Sequence, residues 1–181
     1  MSIIEKLSTT DKLVKLVQAK NFVGWVYNID YDKALIMTND LWKENVNGIP
    51  HNSFLLAAPF NPQKYGDTRQ IDRQVILLRV TGSTKLPQDD DMIKMKIDNF
   101  QNQEDPFGED GVKDYDALTK NKIQFGGLVC RVIGTFYMKN DNLVLGSDIE
   151  TFYMSTRLNV FMPKGDALKE IVNYVDPIRK Q

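Results

Sequence analysis

The stretch from Ile123 to Met138 constrains the fold most. It is largely apolar or β-branched, and it is broken by Gly126-Gly127 near its start and by Gly134 in its middle. It reads as the longest β segment of the chain. Glycines at those places suggest bulges or sharp bends, which a curved or closed sheet needs. Shorter β candidates surround it. Phe22 to Tyr27 and Ala34 to Met37 flank a polar hairpin connection from Asn28 to Lys33. Phe54 to Pro59 is stopped by Pro59 and Pro62, and Val75 to Val80 has the continuous apolar character of a buried strand. Lys139-Asn140-Asp141-Asn142 is a hairpin turn from which Leu143-Val144-Leu145 pairs back, and Leu158 to Met162 alternates as a last strand.

Helical signals are fewer. Ser8, Thr9, Thr10 and Asp11 offer capping chemistry ahead of Leu13, Leu16 and Val17. Asp89-Asp90-Asp91 suits a helix start, where carboxylates meet the positive end of the dipole, and Ile93, Ile97 and Phe100 follow at helical spacing beside Met92 and Met95. Gln101 to Lys122 is acidic and contains glycines, which predicts a loop excursion with a short helical turn near Ala117. Pro163 and Gly165 introduce a final helix that Asp166 can cap. Leu168, Ile171, Val172 and Val175 give it one apolar face, and Asp176-Pro177 ends it. Asp40 to Asn52 fits neither period, with turns marked at Asn47-Gly48 and Pro50.

About seven strands with two or three helices, in mixed order, predict a mainly β (α+β) fold. The expected form is a small closed or half-closed antiparallel β-barrel with peripheral helices. The division is a helical segment over 1–20, a barrel over 21–163 with an insertion at 88–122, and a terminal helix over 164–181.

Composition limits function. Hydrophobic residues are 42% and charged residues 26% of 181, and a net charge of −1 shows no basic surplus of the kind a dedicated nucleic-acid binder carries. Near-neutral charge suits protein contacts better than a phosphate-lined channel. One cysteine excludes an internal disulfide framework. No leader of signal type is present and no apolar run approaches the roughly 20 residues of a membrane span, so the cytoplasm is the expected compartment.

No catalytic motif emerges. Val80-Thr81-Gly82-Ser83-Thr84-Lys85 follows a strand but lacks the Gly-Lys-Ser/Thr of a phosphate-cradling loop, and Pro87 comes just after, so it reads as a strand-exit loop. One Cys and one His exclude the usual zinc sets. The acidic run Glu104 to Gly111 departs from the calcium-loop pattern and reads as a solvated loop. Cys130 lies in an apolar run and reads as a buried hydrophobe, His51 as a turn residue, and Asp89 to Asp91 as capping. Trp25, Tyr27, Phe136, Tyr137, Phe152, Tyr153 and Phe161 fall in or beside strands. On an OB-like barrel they could stack on single-stranded bases, but only Arg131, Lys139 and Arg157 stand near, so packing is the better account. No catalytic, cofactor-binding or metal-ligating residue is assigned, and interface residues stay unassigned.

Three stretches together resemble the N-terminal HAS-barrel domain of HerA-like ATPases of the FtsK/HerA superfamily. They are Val75 to Gly82 leading through Lys85-Leu86-Pro87 to Asp91, Leu118 to Gly127 continuing through Val132 to Tyr137, and Leu145 to Tyr153 running to Tyr174-Val175-Asp176-Pro177. The resemblance implies a ring cap, most simply of six copies, on an ATP-dependent DNA translocase or helicase. ATP and Mg would belong to a RecA-like motor, with no cofactor in these residues. It further implies docking of an effector such as a NurA-type nuclease or a sirtuin-like enzyme, possible membership of an antiphage-defence complex, and DNA passing through the assembled ring.

Overall fold

In the computed structural model, residues 12–68, 72–102, 125–146 and 158–177 are described. Within them seven strands form one sheet. These are β1 (Phe22–Ile29), β2 (Lys33–Asn39), β3 (Phe54–Ala58), β4 (Gln74–Thr84), β5 (Phe125–Lys139), β6 (Asn142–Gly146) and β7 (Asn159–Phe161). The neighbours run β2-β1-β7-β3-β4-β5-β6, and β5 also pairs with β2. That extra pairing closes a ring of six antiparallel strands and leaves β6 outside it. The mainly β, closed-barrel expectation is met.

Closure depends on the length of β5. Its first half, Phe125 to Arg131, pairs with β2 and its second half, Thr135 to Lys139, with β6, while β4 runs along its other edge. The register against β4 slips at Ile133, beside Gly134, so a bulge sits where the mid-strand glycine suggested one. Gly126 and Gly127 hold regular register with β2 instead. Gly127 serves close approach: a Cβ there would lie 2.5 Å from the Thr84 carbonyl oxygen.

The turns follow residue chemistry. Asp30 accepts hydrogen bonds on Oδ1 from the amides of Asp32 and Lys33, at 2.9 and 2.7 Å, which closes the β1–β2 hairpin as an Asx turn. Asn140 and Asp141 have φ of 49° and 60°, as a two-residue type I′ turn requires, and Asn and Asp tolerate that region well.

The strands with continuous apolar runs are sandwiched. Leu55, Ala57, Ile76, Leu78 and Val80 point into the barrel with Val23, Ile36, Cys130 and Val160, side chains drawn from all six ring strands. The intervening Leu56, Ala58, Val75 and Leu77 point outward, yet are buried beneath Leu13, Leu16, Leu143 and Ile171. Those cover residues come from β6 and from two helices packed on each other, α1 (Lys12–Leu16) and a terminal helix, Asp166–Val172. A strand buried on both faces loses the period-two pattern of a half-exposed one. Past Leu78 the cover ends and exposed positions alternate with buried or less exposed ones.

Several local expectations are corrected. The ambiguous 40–52 stretch contains a helix, α2 (Asp40–Asn45), capped by the Asn39 side chain, which accepts from the Trp42 amide. With α3 (Asp89–Gln101) and α4 (Asp166–Val172), the described residues carry the peripheral helices expected around the barrel. Val80 to Thr84 is strand, not exit loop, held in pairing with Val129 to Gly127. Asp166 does not cap α4. Gly165 occupies the cap position at φ 59°, and the Asp166 carboxylate meets Lys169 at 3.3 Å instead. The α4 face also divides: Ala167 and Ile171 are buried, whereas Leu168 and Val172 are exposed, as is Val175 beyond the helix end. The capping residues Ser8 to Asp11 lie outside the described residues, as does the Gln101 to Lys122 excursion from residue 103 on, while Gln101 itself ends α3.

Candidate functional site

Among the described residues, the side chains that could carry reactions sit in different environments. Cys130 is fully buried inside the barrel, where desolvation pushes its thiol up to about 12, so it is not a nucleophile. His51 is exposed at the turn before β3, with Nε2 3.2 Å from the Thr81 carbonyl oxygen. Asp89, the first residue of α3, accepts from the Leu86 amide at 2.7 Å, three residues back, as a carboxylate at a helix start does. Tyr27 has its phenol raised by burial first and by the Asp89 charge second. Lys85 pairs with Asp90 at 3.0 Å in solvent. Among the described residues no group of His, Cys, Asp and Glu could hold a metal ion. The acidic run from Glu104 to Gly111 lies outside them.

The aromatics divide by location. Phe136 and Phe161 are buried beneath the helices, with the Tyr174 ring edge-on to Phe136 at 5.5 Å. Phe152 and Tyr153 lie outside the described residues, and Tyr137 is half-buried on β5. Trp25 belongs to an exterior cluster. It meets Phe22 at 5.5 Å and Trp42 at 4.8 Å, and Trp42 meets Phe125 at 6.0 Å, all edge to face. The cation beside them, Lys43, is paired with Asp40 at 3.1 Å. These rings use their faces on one another, which clamps α2 to the start of β1.

Two surfaces remain unspent. On α3, Ile93, Met95 and Ile97 are 48%, 59% and 50% exposed, an apolar load that a helix facing only water would not carry. On α4 and just beyond it, Leu168, Val172 and Val175 form a second exposed apolar strip. An open groove of about 290 Å³ lies between β6 and the residues after α4, lined by Lys12, Asn142, Glu170 and Tyr174 among others, outside the barrel interior.

Sequence reading missed a third feature. Register sets Lys33 of β2 opposite Arg131 of β5, and Arg131 opposite Arg79 of β4. Arg79 in turn stands opposite Phe54 of β3. Their chain neighbours Ala34, Cys130, Leu78, Val80 and Leu55 point inward, so all four project from the outer wall in one row. The three cations are exposed, and no carboxylate among the described residues pairs with them. They stand far apart in sequence, so no charge run announces them. Only strand order could have found the row.

No helix of the described residues is long and apolar enough to cross a membrane. Comparison with known protein families gives no match, and none of the curated proteins is similar to the chain by sequence.

Proposed function

We propose that this chain is a contact module: an oligomerisation and partner-docking barrel of a HerA-like, ring-forming DNA translocase. In this reading ATP and Mg act in a separate motor, and the barrel organises copies and effectors in the cytoplasm. The observation that carries it is the filled barrel. Val23, Ile36, Leu55, Leu78 and Val160 are each 0% exposed, so the interior is an apolar core closed to solvent. What the barrel offers is its outside, and the outside carries apolar helix faces on α3 and α4. A closed ring of strands also leaves few free edges, which suits a rigid scaffold that must not aggregate. Closed rings of copies need two different, complementary patches on each protomer, and two separate apolar strips meet that requirement.

Native mass measurement tests the reading. A ring of several copies, most simply six, is expected. Replacing Ile93 and Ile97 together by glutamate should dissolve it or release the effector, with the thermal midpoint unchanged because both side chains are exposed. A single-chain particle at every accessible concentration, or an assembly indifferent to both substitutions and to Val172→Glu, refutes it. So does turnover of a substrate by the isolated chain.

A further inference from the structure

We infer that the row Phe54–Arg79–Arg131–Lys33 is a binding strip for single-stranded nucleic acid, with the cations on phosphates and the ring against a base. Three like charges placed opposite one another on adjacent strands repel, and directly opposed like charges destabilise a sheet. A fold that needed only solubility would intersperse carboxylates there. None of the described carboxylates pairs with these side chains, although Asp30 and Asp32 stand in the hairpin next to Lys33. Asp30 spends Oδ1 on the turn amides, and the Asp32 carboxylate forms no ion pair with the row.

The geometry favours a phosphodiester strand over a lone anion. Neighbouring strands lie about 4.8 Å apart, so three cations on three successive strands span roughly 10 Å, enough to follow more than one phosphate. Two of the three are arginines, whose planar forks bind phosphate oxygens in pairs. The row ends in an aromatic ring, half-buried and so held in place. A cationic track with a ring beside it is the arrangement by which single strands are held without sequence preference. The strip is built from strands of the closed barrel, whose hydrogen bonding preorganises it. It stands whether or not the barrel sits on a motor.

Anisotropy of a fluorescent oligothymidine, read on the whole chain at several salt concentrations, tests this. Binding should weaken with salt at a logarithmic slope of about −2, as expected for three phosphate contacts on a single strand. Arg131→Glu should lower affinity by at least about tenfold, because it removes one phosphate contact and adds repulsion. The same substitution places a carboxylate between Lys33 and Arg79, so the thermal midpoint should match or exceed that of the parent protein. Binding loss therefore cannot be blamed on unfolding. Phe54→Leu should weaken binding while leaving the salt slope intact. The inference is overturned by absence of salt-dependent binding, by equal affinity in the Arg131→Glu protein, or by polyglutamate competing as well as the oligonucleotide, which would assign the row to an acidic protein.

Discussion

The amide of Leu145 donates to the hydroxyl of Tyr174 at 2.8 Å, so the outer edge of β6 is guarded by a side chain from beyond α4. β6 is the strand outside the ring, and among the described residues it pairs only with β5. Its sequence, Asn142 to Gly146, has no charge and no proline, the usual protections of a free edge. Tyr174 supplies the cover, and its ring is anchored edge-on against Phe136. Tyr174→Phe keeps the ring and removes the acceptor. A hydrogen bond of this kind contributes about 1 kcal/mol, so exchange of the Leu145 amide should quicken roughly fivefold while barrel amides such as that of Ile76 keep their rate. Hydrogen exchange read by mass spectrometry or NMR checks this. Equal exchange at Leu145 in both proteins would show that the hydroxyl guards nothing.

Gly24 governs the approach of β1 to β2. Its φ is 151°, and a Cβ built on it would collide with the Met37 carbonyl oxygen. Backbone cannot retreat as a flexible side chain can, and the register shift between Phe22 and Gly24 already marks a local irregularity against β7. Gly24→Ala should cost about 2–4 kcal/mol, as strain at a special backbone conformation does when added to a clash. Gly82→Ala is the control, since nothing lies within 4 Å of a Cβ there. Urea denaturation of the two variants should separate them clearly, and equal midpoints would contradict the geometry.

The readable part of this fold was what alternation, turns and apolar runs encode locally. Asn140-Asp141 announced a hairpin, and Gly134 announced the bulge next to Ile133. Helix α2 was not readable, because its Trp42 answers to a tertiary cluster with Phe22, Trp25 and Phe125 rather than to helical spacing. The strand past Val80 was hidden for a similar reason. Thr81 to Thr84 look like a loop, yet pairing with β5 extends the strand through them. For the site, the burial of Cys130 was legible in the apolar run around it. The cationic row was not, since Lys33, Arg79 and Arg131 become neighbours only through register.

Trp42 separates packing from nucleic-acid stacking. Its ring lies 5.0 Å from Phe22 and 4.8 Å from Trp25, both edge to face. Such pairs add about 0.5–1.5 kcal/mol each beyond area burial. Trp42→Ala should therefore lower stability by about 2–4 kcal/mol. Oligothymidine affinity should hold at temperatures well below the new midpoint, because the binding strip lies on other strand positions. Loss of affinity without loss of stability would move the nucleic-acid surface to this cluster.

Cys130 makes the fold sensitive to alkali in a defined window. Inside the barrel burial pushes its thiol up to about 12, whereas a solvated thiol loses its proton near 9.0. The unfolded chain thus loses its proton first as pH rises. Below about pH 9 both states are protonated and the thiol adds no pH dependence. Between about 9 and 12 the unfolded state binds fewer protons, so stability falls by at most about 1.4 kcal/mol per pH unit. Cys130→Ala removes that slope at the expense of a small cavity among Ala34, Val80 and the other interior side chains. The difference between the two proteins, followed by urea denaturation from pH 8 to 11, should begin with the parent more stable and narrow steadily. A constant difference across that range would mean that the thiol meets water in the folded state. Its modification by a thiol reagent at pH 8 would then run at the rate of a free thiol, rather than at the slow rate of barrel opening that burial requires.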